Sequence, residues 1–248
     1  MSISSFISNL AQRKFNKLLY KGSDDYSQLG EQMVVMNILG RMDQQKLNKV
    51  YVDIGAYHPF KGSNTYKLYL KNWRGIVIDP NPEKTKKFSA IRPLDICLTN
   101  AVIPDNWDMT EVEMLATGTN DACESITPKL NKNNHLNKET AEHSYIAKTI
   151  KVKDVLEMCA QKLGTPAFMS VDIEGLEGDL IQGTDFKKYP VPLLCIEHFL
   201  GEFTQGKSVF DYKHSPMIQH LEAGGYELVS VCGVSVILAH KDFYVPYG

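Results

Sequence analysis

Four short apolar runs, each ending in a carboxylate, constrain this chain more than any other feature. They are Lys49–Ile54, with Asp53 near its end, Gly75–Asp79, Ala167–Val171 followed at once by Asp172, and Pro192–Glu197. Runs of this length, rich in β-branched residues and bounded by turn residues, read as buried strands. The segments between and after them carry helical patterning: Ser63–Lys71, Glu83–Ala90, Val152–Lys162 and Leu176–Gln182. Asp95–Ile103 reads as one further strand. The chain closes differently. After a helix near Ser215–Ala223, "YELVSVCG" and "VSVILAHKD" are two strands joined by a tight glycine turn, and so antiparallel. The expected fold is therefore α/β: a mostly parallel sheet with helices on both faces and one antiparallel strand from a C-terminal hairpin.

The 248 residues allow one large domain of this kind. A net charge of −2 gives no basic excess of the sort a nucleic-acid binder carries. The five cysteines (Cys97, Cys123, Cys159, Cys195 and Cys232) are scattered and form no CxxC pair, which suits reduced thiols and a cytoplasmic protein. Nor does the N-terminus read as a signal peptide, since basic residues follow the apolar ones. Residues 3–19 do repeat apolar side chains at helical spacing, with Arg13, Lys14, Lys17 and Lys21 ahead of the first acid, Asp24. Such a helix packs on its own domain or on the partner in a homodimer, or makes peripheral contact with an anionic membrane. Residues 26–48 continue as helix, with Leu29, Met33, Met36, Ile38 and Leu39 on the buried side. Residues 1–48 are thus a helical extension to a domain over 49–248. Within that domain 104–150 is an irregular insertion, with strand-like pieces at Glu111–Ala116 and Tyr145–Val152 around the polar tract "NKNNHLNKE". Insertions on a rigid scaffold carry specificity, so this one is the candidate for acceptor recognition.

In an open α/β sheet, ligands bind beyond the carboxyl ends of the strands, near the point where strand order reverses. The strand ends here offer Asp53, Asp79, Asp172 with Glu174, and Glu197 with His198. Asp79 lies 26 residues after Asp53, where an acid accepts hydrogen bonds from a ribose diol. The first turn limits which nucleoside. A dinucleotide fold needs further glycines where this chain has Tyr57-His58-Pro59-Phe60, although Gly55 still permits a close approach. S-adenosylmethionine, with a ribose but no phosphate, fits that turn better than NAD.

The stretch "VYVDIGAYHPFKGSNTYKLYLKNWRGIVIDPNPE" closely resembles the opening of the FkbM-type methyltransferase family. "FMSVDIEGLEGDLIQGTDF" resembles its second hallmark, and "GYELVSVCGVSVILAHKD" is similar to its ending. The resemblance implies the Rossmann-like seven-stranded methyltransferase sheet and S-adenosylmethionine-dependent O-methylation, often of a sugar hydroxyl on a glycan or small metabolite. It puts the cofactor on Asp53, Gly55 and Ala56 and on Asp79. Ser63, Asn64 and Thr65 open the next helix, where N–H groups could take the methionine carboxylate. Asp95 and Asn100 border the third strand, within reach of the adenine. Many relatives have another glycine where this chain has His58-Pro59, which leaves contacts at the methionine end open.

Methyl transfer from a sulfonium needs a positioned nucleophile, and a sugar hydroxyl must lose its proton as it attacks. Asp172, Glu174, Glu197, His198 and His58 are the candidate catalytic groups. Two roles stay open: His198 or His58 as a general base oriented by Glu197 or Asp172, or Asp172, Glu197 and His198 holding Mg2+ or another divalent cation. Methylation of a carboxylate, phosphate or amine, and a cofactor-binding protein without turnover, are the alternatives. NAD-dependent oxidation lacks its phosphate-binding turn.

Overall fold

The computed structural model describes residues 25–116, 124–126, 141–198 and 209–243. Residues 3–19, the polar tract and Cys123 lie outside them. Seven strands form the main sheet: β1 (Val50–Ile54), β2 (Arg74–Ile78), β3 (Ile96–Leu98), β8 (Phe168–Val171), β9 (Leu193–Glu197), β10 (Tyr226–Cys232) and β11 (Ser235–His240). Their order is β10-β11-β9-β8-β1-β2-β3. β1 pairs in parallel with β2 and with β8, and β8 in parallel with β9. β11 runs antiparallel to both β9 and β10, so it alone opposes the rest. The expected fold class is the observed one.

Alternation along β1 divides the core in two. Val50, Val52 and Ile54 face a layer with Met169, Leu194 and Val236, closed by α4 (Val152–Lys162), α5 (Glu177–Gln182) and α7 (Pro216–Ala223). Tyr51 faces the other layer with Val77, Phe168 and Ile237, under α1 (Glu31–Arg41), α2 (Tyr66–Leu70) and α3 (Pro82–Ile91). The helices begin where local chemistry starts them. Asn81 caps α3 by accepting the Glu83 N–H, with Pro82 at the first position. Ser215 accepts the Ile218 N–H ahead of Pro216 at α7. α4 has the predicted bounds, because Val152, Val155, Leu156 and Cys159 make one unbroken apolar stripe. Among the described residues no helix is long and apolar enough to cross a membrane.

Three expectations are corrected. The helix over 26–48 spans only Glu31–Arg41, since Gly30 at φ +96° closes the chain off before it. Its buried stripe is Val35, Ile38 and Leu39, whereas Leu29 and Met33 are each 51% exposed. The strand over Asp95–Ile103 is two strands in two sheets: β3 pairs with β2, while β4 (Ala101–Ile103) pairs with β7 (His143–Lys151). The 104–150 insertion therefore builds a second sheet, ordered β4-β7-β5-β6, with β5 at Glu111–Ala116 and β6 at Glu124–Ile126. Its core of Ile103, Val112, Met114 and Ile126 reaches Leu176, at the foot of α5.

One buried cation organises the layer that holds Tyr51, Tyr66 and Phe88. Arg92 is 0% exposed. Its Nε donates to the Pro59 carbonyl (2.6 Å), Nη1 to Thr65 Oγ1 (2.8 Å) and Nη2 to Ser63 Oγ (2.7 Å). Asp95 lies 3.9 Å from the guanidinium, which also sits over the Tyr66 and Phe88 rings. Thr65 in turn donates to Asp53, and Tyr51 to Asp95. Removing one member of such a group strands the others as buried charges. Arg92→Met is expected to lower stability by about 3–5 kcal/mol, measured by urea unfolding. Loss within about 0.5 kcal/mol, the range of an ordinary surface change, would show that the network carries no weight.

Candidate active site

The chain runs β1, β2, β3 outward and then returns to β8 on the other side of β1, so strand order reverses between β1 and β8. Over that point lies a cleft of about 820 Å³, its mouth included. It is of the size that takes a cofactor-like ligand. Gly55 and Tyr57 line it from the β1 turn, Asp79 and Lys84 from β2 and α3, Asp172 and Glu174 from β8, and Glu197 from β9. The opposite wall is apolar: Ala101, Val102, Met114 and Ile126, all from the second sheet.

Backbone packing explains Gly55. Its N–H and that of Ala56 both donate to the Ile78 carbonyl, drawing the turn across the top of β2. At φ +75° it passes so close to β8 that a Cβ would lie 1.6 Å from the Asp172 carbonyl oxygen. Only glycine allows both the conformation and the approach.

Asp79 sits at the tip of β2 and is already in use. Oδ2 accepts the Tyr57 N–H (3.1 Å) and Oδ1 the Asn81 N–H (2.9 Å), while Lys84 Nζ stands 4.0 Å from Oδ2. Lys84 is buried, and its charge also lowers the proton affinity of Asp172. Asp172 and Glu197 meet across β8 and β9 and share a hydrogen bond. Burial is the main reason both carboxyls are pushed up; for Glu197 the next causes are the charges of Asp172 and Glu177. Two carboxyls this close and this buried hold a proton more readily than isolated ones, which relieves their like-charge repulsion. Glu177 completes the cluster: one carboxylate oxygen from each of Asp172, Glu177 and Glu197 lies within 4.8 Å of the others.

The structure brings together Asp79, Gly55, Asn100, Asp172, Glu174 and Glu197 on the cleft and leaves other candidates off its lining. Asp95 precedes β3, at the end opposite the cleft. It accepts from the Gly75 N–H (2.9 Å) and the Tyr51 hydroxyl rather than facing an adenine. Asp53 is buried on Thr65, and Ala56 in the core. Ser63 and Thr65 turn onto Arg92, and Ser63 Oγ accepts the N–H groups of Thr65 and Tyr66, the donors expected for a methionine carboxylate. Asn64 donates to Ser170. His58 Nδ1 accepts the N–H groups of Phe60 and Lys61, and burial with the charges of Lys87, Lys61 and Arg92 lowers its pKa to about 4. His198 packs its ring 5.9 Å from Tyr212, and burial lowers its proton affinity. The atoms that cluster with Asp172 and Glu197 come from Glu177 in place of His198.

The sequence reading missed Lys84, Tyr57 and Glu177. Lys84 sits in a lysine-rich run that looks solvated. Glu177 is signalled only by its spacing, four residues after Ile173.

Gly55→Ala is expected to cost about 3 kcal/mol or more, the scale of a strained or overpacked site, read from chemical denaturation. Wild-type stability would mean that the β1 and β8 ends can separate without loss.

The family model of the methyltransferase FkbM domain matches residues 53–228, which contain every group just placed on the cleft. No curated protein matches the chain. With more than half of its length under that model, on a seven-stranded sheet whose order reverses at the cleft, the chain belongs to the FkbM methyltransferase family.

Proposed function

We propose that the cleft binds S-adenosylmethionine and passes its methyl group to a hydroxyl of a sugar, glycan or related metabolite, with Asp172 as the general base. The observation that carries this reading is the pair Asp172–Glu197 at the floor of a cleft with an acidic excess. Four carboxyl residues, Asp79, Asp172, Glu174 and Glu197, line it against one lysine, Lys84. A sulfonium is a cation and suits such walls. Asp79, at the β2 tip, is the group for the ribose. The apolar wall of Val102, Met114 and Ile126 suits a flat base.

The acceptor hydroxyl must lose its proton as the methyl carbon leaves sulfur for oxygen. Asp172 accepts that proton. Burial raises its proton affinity toward the neutral range, where a base is both ionised and effective. Glu197, holding its own proton against Asp172, keeps the accepting oxygen oriented and limits the like-charge repulsion between them.

A divalent cation has one observation of its own, the three carboxylates of Asp172, Glu177 and Glu197. An all-oxygen set suits a hard cation better than the expected set with His198. Both Glu177 oxygens, however, already accept backbone N–H groups. A cation there would replace the Glu197 proton. Magnesium would then raise the melting temperature of the wild type and leave Glu197→Gln unmoved.

Titration calorimetry with S-adenosylhomocysteine tests the cofactor. Binding is expected, weakened about tenfold or more in Asp79→Ala, the scale of a lost hydrogen bond to a charged group. Absence of binding would overturn the reading. Transfer of labelled methyl from S-adenosylmethionine to a panel of methyl glycosides tests the base. Asp172→Asn is expected to cost about 10²–10⁴-fold. Since the Asp172 pKa is raised, the wild-type rate falls as pH drops through the weakly acid range, above the range of an ordinary aspartate. A rate that held down to about pH 4, the ordinary aspartate value, would exclude Asp172 as the base.

A further inference from the structure

Between the end of β8 and the start of α5 the chain reverses over five residues, Asp172 to Leu176. Two of them in succession adopt left-handed backbone: Glu174 at φ +59° and Gly175 at φ +103°. A glutamate held there is strained and persists only where its surroundings fix it. One side chain braces this turn. Glu177 Oε1 accepts the Ile173 N–H at 2.7 Å, and Oε2 accepts the Gly175 N–H at 3.0 Å. Successive N–H groups that converge on an anion form a nest, and here the anion is supplied from within the chain. Glu177 is only 5% exposed, and burial, its first-ranked influence, raises its pKa to about 7. Leu176 and Ile173 anchor the same turn in the core of the second sheet.

We propose that Glu177 is a positioning residue of the methyl-transfer site, its carboxylate clamping the Ile173–Gly175 turn so that Asp172 and Glu174 face the cleft. The proposal rests on the reading of Asp172 as the base. Six charged or titratable groups bear on this carboxylate and its neighbours: Asp172 from β8, Glu174 from the turn, Glu197 from β9 and, through Asp172, Asp53 from β1, Glu31 from α1 and Lys84 from α3. A glutamate that merely opened a helix would affect stability alone. A clamp beside the Asp172–Glu197 pair also sets the position and proton affinity of that pair.

The test uses the full chain and Glu177→Gln, which puts an amide donor where one backbone N–H now donates. The Glu197 carboxyl carbon, followed by ¹³C NMR against pH, is expected to titrate at lower pH in the variant, because the Glu177 charge that raises it has gone. S-adenosylhomocysteine affinity is expected to fall about tenfold. A lower melting temperature with both readouts unchanged would overturn the proposal and leave Glu177 a helix-start residue. If the glutamine variant does not fold, Glu177→Asp keeps the charge and withdraws the carboxylate by one methylene. It should weaken affinity with the titration near that of the wild type, and unchanged affinity would overturn the clamp. The NMR readout needs no ligand. A wild type that bound no adenosyl ligand would thus fail the cofactor reading while the titration still decided the role of Glu177.

Discussion

A single buried guanidinium organises the turn that follows β1 at the edge of the cleft. Arg92 has no contact with solvent, and its donors go to Pro59, Ser63 and Thr65, all in the loop that follows β1. That loop is where related nucleotide-binding folds use glycines and helix N–H groups to hold a ligand. Here the N–H groups of Thr65 and Tyr66 are satisfied by Ser63, and the hydroxyls by Arg92. The turn is shaped from behind by a fixed charge, and its cleft-facing parts are Gly55, Tyr57 and Gly62. The His58-Pro59 turn fits this logic. His58 ties off the N–H groups of Phe60 and Lys61, and Pro59 presents its carbonyl to Arg92.

The other half of the cleft is organised by excess negative charge. Asp172, Glu177 and Glu197 crowd together, with one carboxylate oxygen of each within 4.8 Å of the others. Such a group is stable only if something compensates it. The compensation is distributed: raised proton affinity across the Asp172–Glu197 pair, backbone N–H groups on Glu177, and the field of Lys84 on Asp172. Three carboxyls of similar intrinsic acidity thereby meet three different surroundings. The cleft's two walls differ in the same way. One is strand ends of the main sheet, charged; the other is the second sheet, apolar through Met114 and Ile126.

How much of this the sequence carried depended on the range of the interaction. Local signals held: the stripe of Val152, Val155, Leu156 and Cys159 placed α4, Ser215-Pro216 placed the start of α7, and the glycine turn at Gly233 placed the hairpin. Asp79, Asp172 and Glu197 were legible because an acid after an apolar strand has one place to be in a parallel sheet. Arg92 was not legible, because its partners lie 27 to 33 residues upstream. The break at Thr99-Asn100 was hidden because the pairing of Ala101–Ile103 with Thr149–Lys151 gathers strands from opposite ends of the insertion. Glu177 looked like an ordinary acid in a first helical turn, and only the left-handed Glu174 and Gly175 reveal its second use.

A crystal structure of the protein with S-adenosylhomocysteine tests the central claim most directly. The account predicts the nucleoside in the cleft over β1 and β8, its ribose on Asp79 and its sulfur on the side of Asp172 and Glu197. A ligand bound elsewhere, or one whose sulfur lay remote from Asp172, would contradict it.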